Sequence, residues 1–246
     1  MQRFRADLHV HTVLSPCGDL EMSPVNIVEL AIQRKIDILG ITDHNSTKHC
    51  ALIKKLAAKK DIFVLCGAEV TTKEEIHCLT FFENLDTLTV FEEYLDQHIT
   101  KVKNKPNLFG YQVVVDQDEK ILEEVDHLLI NATDQSIDQV EEKVHNLGGL
   151  FIPAHIDRPA YSLFSQLGFV PPDLKADALE VSKMYTISDF VKSHPELKGY
   201  TFIQSSDAHL PEQLGTRTTT FEIETRSFKE IKMALKGENG RRVYDC

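Results

Sequence analysis

The 246-residue sequence lacks the features that mark several classes of protein. No apolar run approaches the ~20 residues that a membrane-spanning helix needs, so we predict no membrane partner. The first residues lack the basic and then apolar pattern of a secretory signal. The cysteines are odd in number and form no CxxC pair, which predicts reduced thiols and a cytoplasmic location. They are Cys17, Cys50, Cys66, Cys78 and Cys246.

Basic residues are also scarce. The 27 Lys and Arg residues are outnumbered by 38 Asp and Glu residues, which gives a formal net charge of −11. This balance predicts no general nucleic-acid surface and no attraction to anionic membranes. It still allows a small phosphorylated substrate or a nucleotide, because bound metal ions can reverse the sign of the charge inside a cleft.

The chain has no internal repeat, low-complexity segment or Ser/Pro-rich linker, so we predict a single domain over residues 1–246. Segments typical of strands and helices alternate, which predicts an α/β fold with a mostly parallel sheet, open or closed. Ser23 and Pro24 fit the N-cap and first position of the first helix. Residues from about 84 to 135 are less regular and are interpreted as an elaboration of the domain. The predicted strands contain DLHVHT, IDILGIT, IFVLCGAEV, EIHCLTFF, LFIPAH, ALEVS, YTFIQSS and TTTFEIE.

Histidines and acids occur where the predicted strands end. In a β/α barrel, the carboxyl ends of the strands and the following loops form one shared face. An open, doubly wound sheet would concentrate its ligands at one switch point, and this sequence has no glycine-rich phosphate loop. A closed barrel is therefore favoured. The residues concerned are His9, His11, Asp43, His44, Glu69, His155, Asp207 and His209.

Each of these positions alone has an ordinary structural explanation. Asp43 and His44 could form a turn or a helix cap, and Glu69 could be a partly buried acid in an ion pair. Asp207 and His209 could cap a helix. Capping preferences do not explain five successive strand ends of this kind, so the joint pattern predicts a metal site. Imidazoles and carboxylates without thiolates suit Zn²⁺, Mn²⁺ or Fe²⁺ and argue against a structural zinc held by four cysteines.

Five segments, DLHVHT, ITDHN, GAEVT, PAHID and SSDAH, resemble in order and spacing the motifs of the PHP (polymerase and histidinol phosphatase) domain family. The resemblance covers essentially the whole chain. It implies a distorted barrel of seven β/α units with two or three metal ions at its carboxyl face. It also implies that the chain hydrolyses phosphoesters.

The resemblance carries nine metal ligands onto this sequence, in three groups, with Glu69 bridging the first and second ions. Asp7 and Asp43 are then interpreted as acceptors that orient imidazoles, and Asp43 is included with Glu69 among the catalytic residues. The ligand groups are His9, His11, Glu69 and Asp207; Glu69, His77 and His155; and His44, His209 and Asp19. The remaining histidines, predicted to be solvated, are His49, His98, His127, His145 and His194.

The charge of the substrate suggests a mechanism. A phosphoester is anionic and repels hydroxide, so the catalyst must supply positive charge together with a nucleophile. Two ions sharing Glu69 would bind a water between them and lower its pKa to about 7, and this bridging hydroxide would attack phosphorus. A third ion would offset charge in the transition state. The expected substrate is a small phosphorylated metabolite, a nucleotide or a short oligonucleotide.

Two other functions remain open. An amidohydrolase-type hydrolase has a barrel that also starts with His-x-His, but it often uses a modified lysine where this chain has Glu69. That difference, with the additional ligands His44 and His209, favours phosphorus chemistry. A non-catalytic metal-binding regulatory module would be expected to have lost some ligands, whereas this set is complete. No oligomeric state is predicted.

Arg158 is a candidate contact for the substrate phosphate. It lies three residues after His155, on the loop that leaves the same strand end. A guanidinium presents a planar fork of donors that matches phosphate oxygens. Pro159 also restricts Arg158 to extended conformations. The alternative is a surface arginine paired with Asp157.

Overall fold

The computed structural model describes residues 1–244 and contains eleven strands and eight α-helices in that part of the chain. The strands are β1 (Gln2–Val10), β2 (Ile38–Ile41), β3 (Phe63–Thr71), β4 (His77–Phe82), β5 (Val113–Val115), β6 (Ile121–Glu124), β7 (Leu150–Pro153), β8 (Leu179–Glu180), β9 (Phe202–Ile203), β10 (Thr219–Ile223) and β11 (Arg242–Tyr244). The helices are α1 (Pro24–Gln33), α2 (Cys50–Ala58), α3 (Leu85–His98), α4 (Pro106–Phe109), α5 (Ile137–Asn146), α6 (Leu163–Gln166), α7 (Ile187–Ser193) and α8 (Phe228–Leu235).

The main sheet has seven strands in the order β11-β10-β1-β2-β3-β4-β7. It is mixed rather than mostly parallel: β1, β2 and β3 run parallel, whereas β4 and β10 run antiparallel to their neighbours. A helical crossover needs a dozen or more residues, and only residues 72–76 separate β3 from β4, so β4 must return antiparallel. A short parallel pair, β8 and β9, lies beside β7. The curled mixed sheet confirms the predicted PHP-type distorted barrel.

The reversed direction of β4 brings its first residue to the functional face. His77 pairs with Thr71, the last residue of β3, so the start of β4 lies beside the end of β3. Strand β7 is antiparallel to β4, and its last residue, Pro153, pairs with Cys78. The loop that follows β7 therefore begins at the same edge and carries His155 to it.

A local irregularity in β1 lies at the first of the two histidines in DLHVHT. Between Asp7 and Val10 the register with β2 shifts, because β1 has one residue more than its partner. Such bulges re-aim side chains. In the same stretch β1 lies close to Gly40, where a Cβ atom would be 2.4 Å from the Leu8 carbonyl oxygen, so only glycine fits there.

Apolar side chains cover both faces of the sheet. On one face, α1, α2, α3 and α5 contribute Ile27, Ile53, Phe91 and Val140 to the larger core cluster. On the other face, a second cluster joins the sheet to α8 through Ile231. The predicted start of α1 is confirmed, because the Ser23 hydroxyl accepts a hydrogen bond from the Asn26 amide and Pro24 is the first helical residue.

The irregular stretch from 84 to 135 contains α3, α4 and the β5–β6 hairpin. Asn45, just beyond β2, ties this stretch to the sheet, because its side-chain amide donates to the carbonyl oxygens of Leu129 and Asn131 at 2.7 and 2.8 Å. Of the helices within residues 1–244, none is long and apolar enough to cross a membrane. Cys17, Cys50, Cys66 and Cys78 are unpaired thiols, and Cys246 lies outside the described residues.

Candidate metal centre

The carboxylate of Glu69 lies at the centre of the functional face, ringed by imidazoles. Its residue is 1% exposed. The imidazole nitrogens come from four segments: the end of β1, the loop after β2, the start of β4 and the loop after β7. The distances to its oxygens are 2.9 Å for His77 Nδ1, 3.1 Å for His155 Nε2, 3.2 Å for His44 Nδ1, and 3.3 Å for the Nε2 atoms of His9 and His11.

A second carboxylate, from Asp207, faces the same histidines. Its Oδ1 lies 3.3 Å from His9 Nε2 and 3.4 Å from His11 Nε2. The isolated bridge between Val10 and Ala208 holds the Asp207 loop against the end of β1. His209 follows on the same loop, and its ring stacks on that of His11 with centroids 4.0 Å apart.

The donor atoms fit divalent cations. His9 Nε2 and His11 Nε2 are 3.1 Å apart, and both also face Glu69. His44 Nδ1 is 3.2 Å from a Glu69 oxygen but is not aligned for a hydrogen bond with it, and it has no other partner. A cation between such atoms would satisfy them together, and a nitrogen-rich set of this kind suits a first-row transition metal. Three groups have donor atoms within 4.8 Å of one another: His9, His11 and Glu69; His44, Glu69 and His77; and His11, His44 and His209.

Glu180, the last residue of β8, orients two of these segments. Its buried Oε2 accepts hydrogen bonds from His9 Nδ1 and from the His155 backbone amide, both at 3.0 Å. Because Nδ1 donates to Glu180, His9 would offer the lone pair of Nε2 to a cation beside Glu69. Glu180 was not among the residues predicted from the sequence. Its signal was an acid inside the apolar strand ALEVS, which parallels Glu69 inside CGAEV.

Ser15 performs the same task for His11. Its hydroxyl donates to Asp43 Oδ1 at 2.7 Å, and because that uses its only proton, its oxygen accepts from His11 Nδ1 at 3.0 Å. His11 therefore also presents Nε2 to the centre. Asp43, predicted to orient an imidazole, reaches His11 only through Ser15, and Thr12 donates to both Asp43 oxygens.

The prediction that His49 is solvated is wrong, because this residue is 1% exposed. The Val115 amide donates to His49 Nε2 at 3.0 Å, so the ring proton lies on Nδ1 and is donated to the Thr12 hydroxyl at 2.7 Å. Thr12 in turn donates to Asp43 Oδ2 at 2.8 Å. Burial lowers the pKa of His49, which keeps it neutral in this chain of hydrogen bonds. Strand β5 is thereby linked to the metal centre.

At two of the imidazoles and at the central carboxylate, the charge state suits cation binding. Burial lowers the pKa of His44 well below its usual range, and burial is also the main cause that lowers the pKa of His209 to about 3. Both imidazoles are neutral at pH 7 and keep a lone pair for a cation. Burial alone would raise the pKa of Glu69, but the imidazoles of His77 and His9 outweigh it and hold that pKa well below its usual range. Glu69 is therefore ionised.

Two acids singled out in the sequence have other partners. The backbone amide of Asp19 donates to the His209 carbonyl oxygen at 2.9 Å. Its carboxylate, however, accepts a hydrogen bond from the backbone amide of Glu21. Within residues 1–244 it joins none of the three donor groups. Asp7 accepts hydrogen bonds from Ser206 and Gly215 instead of orienting an imidazole, and so holds the backbone of the Asp207 loop.

Arg158 reaches the edge of the centre. Its Nη2 lies 2.6 Å from Asp207 Oδ2, and its side chain is 37% exposed. Asp157, the alternative partner, is engaged with Ser182, from which it accepts one hydrogen bond from the backbone amide and one from the hydroxyl. The guanidinium therefore lies between the candidate ligands and solvent.

Two family models match the chain. The PHP domain model matches residues 7–167, and the PHP-associated model matches residues 196–239. The first match alone covers more than half of the 246 residues. The chain belongs to the PHP domain family. The resemblance found in the sequence motifs is thus confirmed, and membership agrees with the predicted class, a metal-dependent phosphoric ester hydrolase.

Longer proteins resemble this PHP chain along nearly its whole length. The uncharacterized protein YqxK of Bacillus subtilis (strain 168) is 24% identical over 99% of the chain. The endonuclease PfuEndoQ of Pyrococcus furiosus, described as lesion-specific, has a similar fold, with a TM-score of 0.74 at 22% identity over 98% of the chain. The chain spans 64% of YqxK and 58% of PfuEndoQ.

The prediction of a small phosphorylated partner, with no general nucleic-acid surface, is wrong. A similar fold is found in endonuclease Q, in a complex with a 27-mer duplex substrate that has an abasic lesion at the active site. The TM-score is 0.72 at 22% identity, and the match covers 98% of this chain and 58% of the endonuclease. The prediction rested on the net charge of −11, which averages the whole surface. Binding of a polyanion depends on the local field, which cations in the centre would make positive.

Proposed function

We propose that this chain is a metal-dependent phosphodiesterase that cleaves a nucleic-acid backbone. The observation that carries the proposal is the buried Glu69 carboxylate within 3.3 Å of five imidazole nitrogens. Beside it, the Arg158 guanidinium lies 2.6 Å from Asp207. Membership of the PHP domain family supports phosphoester hydrolysis. The fold shared with endonuclease Q, whose complex contains duplex DNA, supports a nucleic acid as the substrate.

Two or three divalent ions of Zn, Mn or Fe would occupy the centre. Bound there, they would offset the charge of a phosphodiester and activate a water as the nucleophile. Glu69 has two oxygens facing different imidazoles, so it would hold two cations close together. The proposed groups are His9, His11, Glu69 and Asp207; Glu69, His77 and His155; and His44 and His209. Asp19 completes the last group on the motif resemblance alone, because its carboxylate now accepts from a backbone amide.

The residues around the proposed ligands hold the imidazoles in the orientation that metal binding requires. Glu180 fixes the tautomer of His9, and Ser15 fixes that of His11, so neither ring must reorient when a cation binds. Arg158 would bind phosphate oxygens with its fork of donors. It can exchange its contact with Asp207 for one with the substrate, because its side chain lies at the solvent boundary.

Nuclease assays test the proposal directly. Protein purified without chelator and supplied with Mn²⁺ or Zn²⁺ would be incubated with a labelled single strand, an intact duplex and a duplex that contains an abasic site. We expect cleavage of at least one of them, abolished by EDTA. Cleavage of none, while p-nitrophenyl phosphate is still hydrolysed, would overturn the nucleic-acid substrate. No hydrolysis of any phosphoester would favour an amidohydrolase or a non-catalytic module.

A cytoplasmic location is part of this proposal. The support is chemical: Cys17, Cys50, Cys66 and Cys78 are unpaired thiols, as expected in a reducing compartment.

A further inference from the structure

The loop that leaves β7 is fastened on both sides of a short exposed segment. At its first end, the Ser162 hydroxyl donates to the Arg158 carbonyl oxygen at 2.6 Å. At its other end, the His77 backbone amide donates to the Tyr161 carbonyl oxygen at 3.1 Å. The segment thereby crosses the functional face, with Arg158 beside Asp207 and Tyr161 beside His77.

Tyr161 adopts a conformation that aromatic residues rarely take. Its φ is +57°, in the left-handed region where a side chain strains the backbone. Asn45, His155 and Asp207, which lie at the same face, also have positive φ values, of 45°, 28° and 49°. Strain of this kind persists where the surroundings fix it and is concentrated at functional sites.

The ring of Tyr161 has one aromatic partner among the described residues. It stacks on the imidazole of His77, with centroids 4.8 Å apart and planes 19° apart. Among the ring contacts within residues 1–244 it has no second aromatic partner, and the residue is 43% exposed. The structure thus holds a flat, rigid aromatic surface at the mouth of the centre, in the same loop as a guanidinium.

We propose that Tyr161 is a stacking platform for a nucleobase of the substrate, next to the phosphodiester that the centre attacks. This inference rests on the proposed nucleic-acid substrate and names the part of it that the chain recognises outside the phosphate. Every base presents a π-face, so stacking on an aromatic ring binds unpaired nucleotides with little sequence preference. Tyr161 contacts the base while Arg158, three residues earlier, contacts phosphate.

The test compares two dodecamers that differ only in their bases. One is oligothymidine and the other is an abasic strand of the same length, both phosphorothioate-linked so that hydrolysis is slow. Dissociation constants are measured by fluorescence anisotropy in Mn²⁺ for the wild-type protein and for Tyr161→Phe, Tyr161→Leu and Tyr161→Asn. Asparagine tolerates positive φ better than most residues, so this variant removes the ring without adding backbone strain.

We expect the wild-type protein and Tyr161→Phe to prefer oligothymidine over the abasic strand by a similar ratio. That ratio should fall by about 5- to 150-fold in both Tyr161→Leu and Tyr161→Asn, as the loss of one base–aromatic stack implies. Affinity for the abasic strand and metal content should stay unchanged. Tyr244→Leu is the control, because Tyr244 pairs with Thr220 near the opposite end of β1.

Two results would overturn the inference alone. One is an unchanged base preference in Tyr161→Leu and Tyr161→Asn while the wild-type protein cleaves nucleic acid. The other is a loss of metal together with equal weakening towards both strands, which would make Tyr161 a support for His77. Failure of the wild-type protein to bind either strand would also overturn the inference, whereas the proposed function fails only if none of the three nuclease substrates named above is cleaved.

Discussion

At the scale of single residues, the centre depends on the unusual position of Glu69. A buried carboxylate normally resists ionisation, but here several imidazoles face it and hold its pKa well below the usual range. Its two oxygens contact different rings: Oε1 faces His77 and His155, whereas Oε2 faces His11 and His44. One side chain can therefore join two groups of donors.

Glu69→Gln tests that role. Glutamine keeps the volume but removes the negative charge between two cations, so we expect turnover to fall by at least ~10²-fold, as for other major electrostatic contributors. Elemental analysis should also show fewer metal equivalents, while circular dichroism stays native. Glu141→Gln, at a buried acid that contacts His145 on α5, is the matched control and should remain active. Near-normal turnover of Glu69→Gln would exclude a bridging role.

Arg158→Lys separates charge from geometry at the rim of the centre. Lysine keeps the positive charge but loses the fork that matches two phosphate oxygens, so we expect kcat/KM to fall by about tenfold or more with metal content unchanged. Arg226→Lys provides the comparison, because Arg226 pairs with Asp61 instead of with a residue of the centre. If Arg158→Lys and Arg158→Ala both match the wild-type kinetics, Arg158 is a surface residue.

At the scale of elements, the sequence predicted the start of α1 and the positions of the strands better than the bounds of the short strands. The N-cap of α5, Ser136, forms a capping box with Gln139 that is readable in the sequence as Ser-x-x-Gln, and the Ser-Pro start of α1 is equally readable. Strands β8 and β9 have two residues each, and their bounds depend on neighbours distant in the chain. The antiparallel direction of β4 follows from the five-residue connection between β3 and β4. The alternation of strands and helices had predicted a mostly parallel sheet and did not indicate this reversal.

Glu180 shows why part of the site could not be predicted. Its contacts with His9 and His155 join residues 171 and 25 positions apart, and no local pattern encodes such a pairing. The strand ends indicated seven of the nine predicted ligands and the motif resemblance supplied the full set, but neither indicated Glu180, which lies outside the five motifs. The burial of His49 was missed for the same reason, since its partner Val115 lies 66 residues away.

Glu180→Gln measures what this short strand contributes. The amide can no longer balance charge on His9, and we expect the metal dissociation constant to rise by about 10- to 100-fold. Competition with a chelating dye measures it, and activity should be largely restored at saturating metal. Glu222→Gln on β10, which pairs with Arg3 at the start of β1, serves as control. An unchanged dissociation constant would show that the orientation of His9 does not depend on Glu180.

A second element-scale contact, between α5 and the segment before β8, depends on pH. His145 has Nε2 3.1 Å from Asp177 and Nδ1 2.9 Å from Glu141, so both nitrogens face acceptors. The hydrogen bond to Asp177, assisted by that to Glu141, raises the pKa of His145 above its usual value. The stabilisation is therefore complete below about pH 6.5 and is lost as pH rises through the higher folded-state pKa.

His145→Asn should remove that dependence. Urea unfolding measures the free energy of unfolding of the wild-type protein and of the variant. The wild-type protein should be the more stable of the two by a larger margin at pH 6 than at pH 9. The extra difference should stay under about 1 kcal/mol, because the imidazole is partly exposed. A difference that is equal at both pH values, or larger at pH 9, would contradict the assignment.

At the scale of the whole molecule, average charge and local chemistry point in opposite directions. The net charge of −11 argued against a polyanionic partner, yet the fold is shared with an endonuclease whose complex contains DNA. The acids that would bind cations lie inside the curl, where any ion they hold changes the local sign. The single domain predicted over residues 1–246 stays a prediction, because the two family models match separate parts of the chain.

Removal of metal should therefore weaken the whole fold. The candidate ligands come from strands and loops across the sheet, so cations that bind only the folded state stabilise it as a unit. At metal concentrations ~100-fold above the dissociation constant the gain is about 2.7 kcal/mol, or roughly 5–10 °C in Tm for a chain of this length. Differential scanning fluorimetry should show Tm falling by this amount in EDTA.

Restoration of Tm distinguishes the ions. Mn²⁺ or Zn²⁺ should return Tm to its original value, whereas Ca²⁺ should not, because Ca²⁺ prefers oxygen ligands and this centre is rich in imidazole nitrogen. Glu69→Gln should show a much smaller shift, since it loses the carboxylate that faces both sets of imidazoles. An identical Tm in EDTA and in excess Mn²⁺ or Zn²⁺ would mean that no metal ion binds the clustered side chains and stabilises the fold. The proposed metal centre would then have to be abandoned.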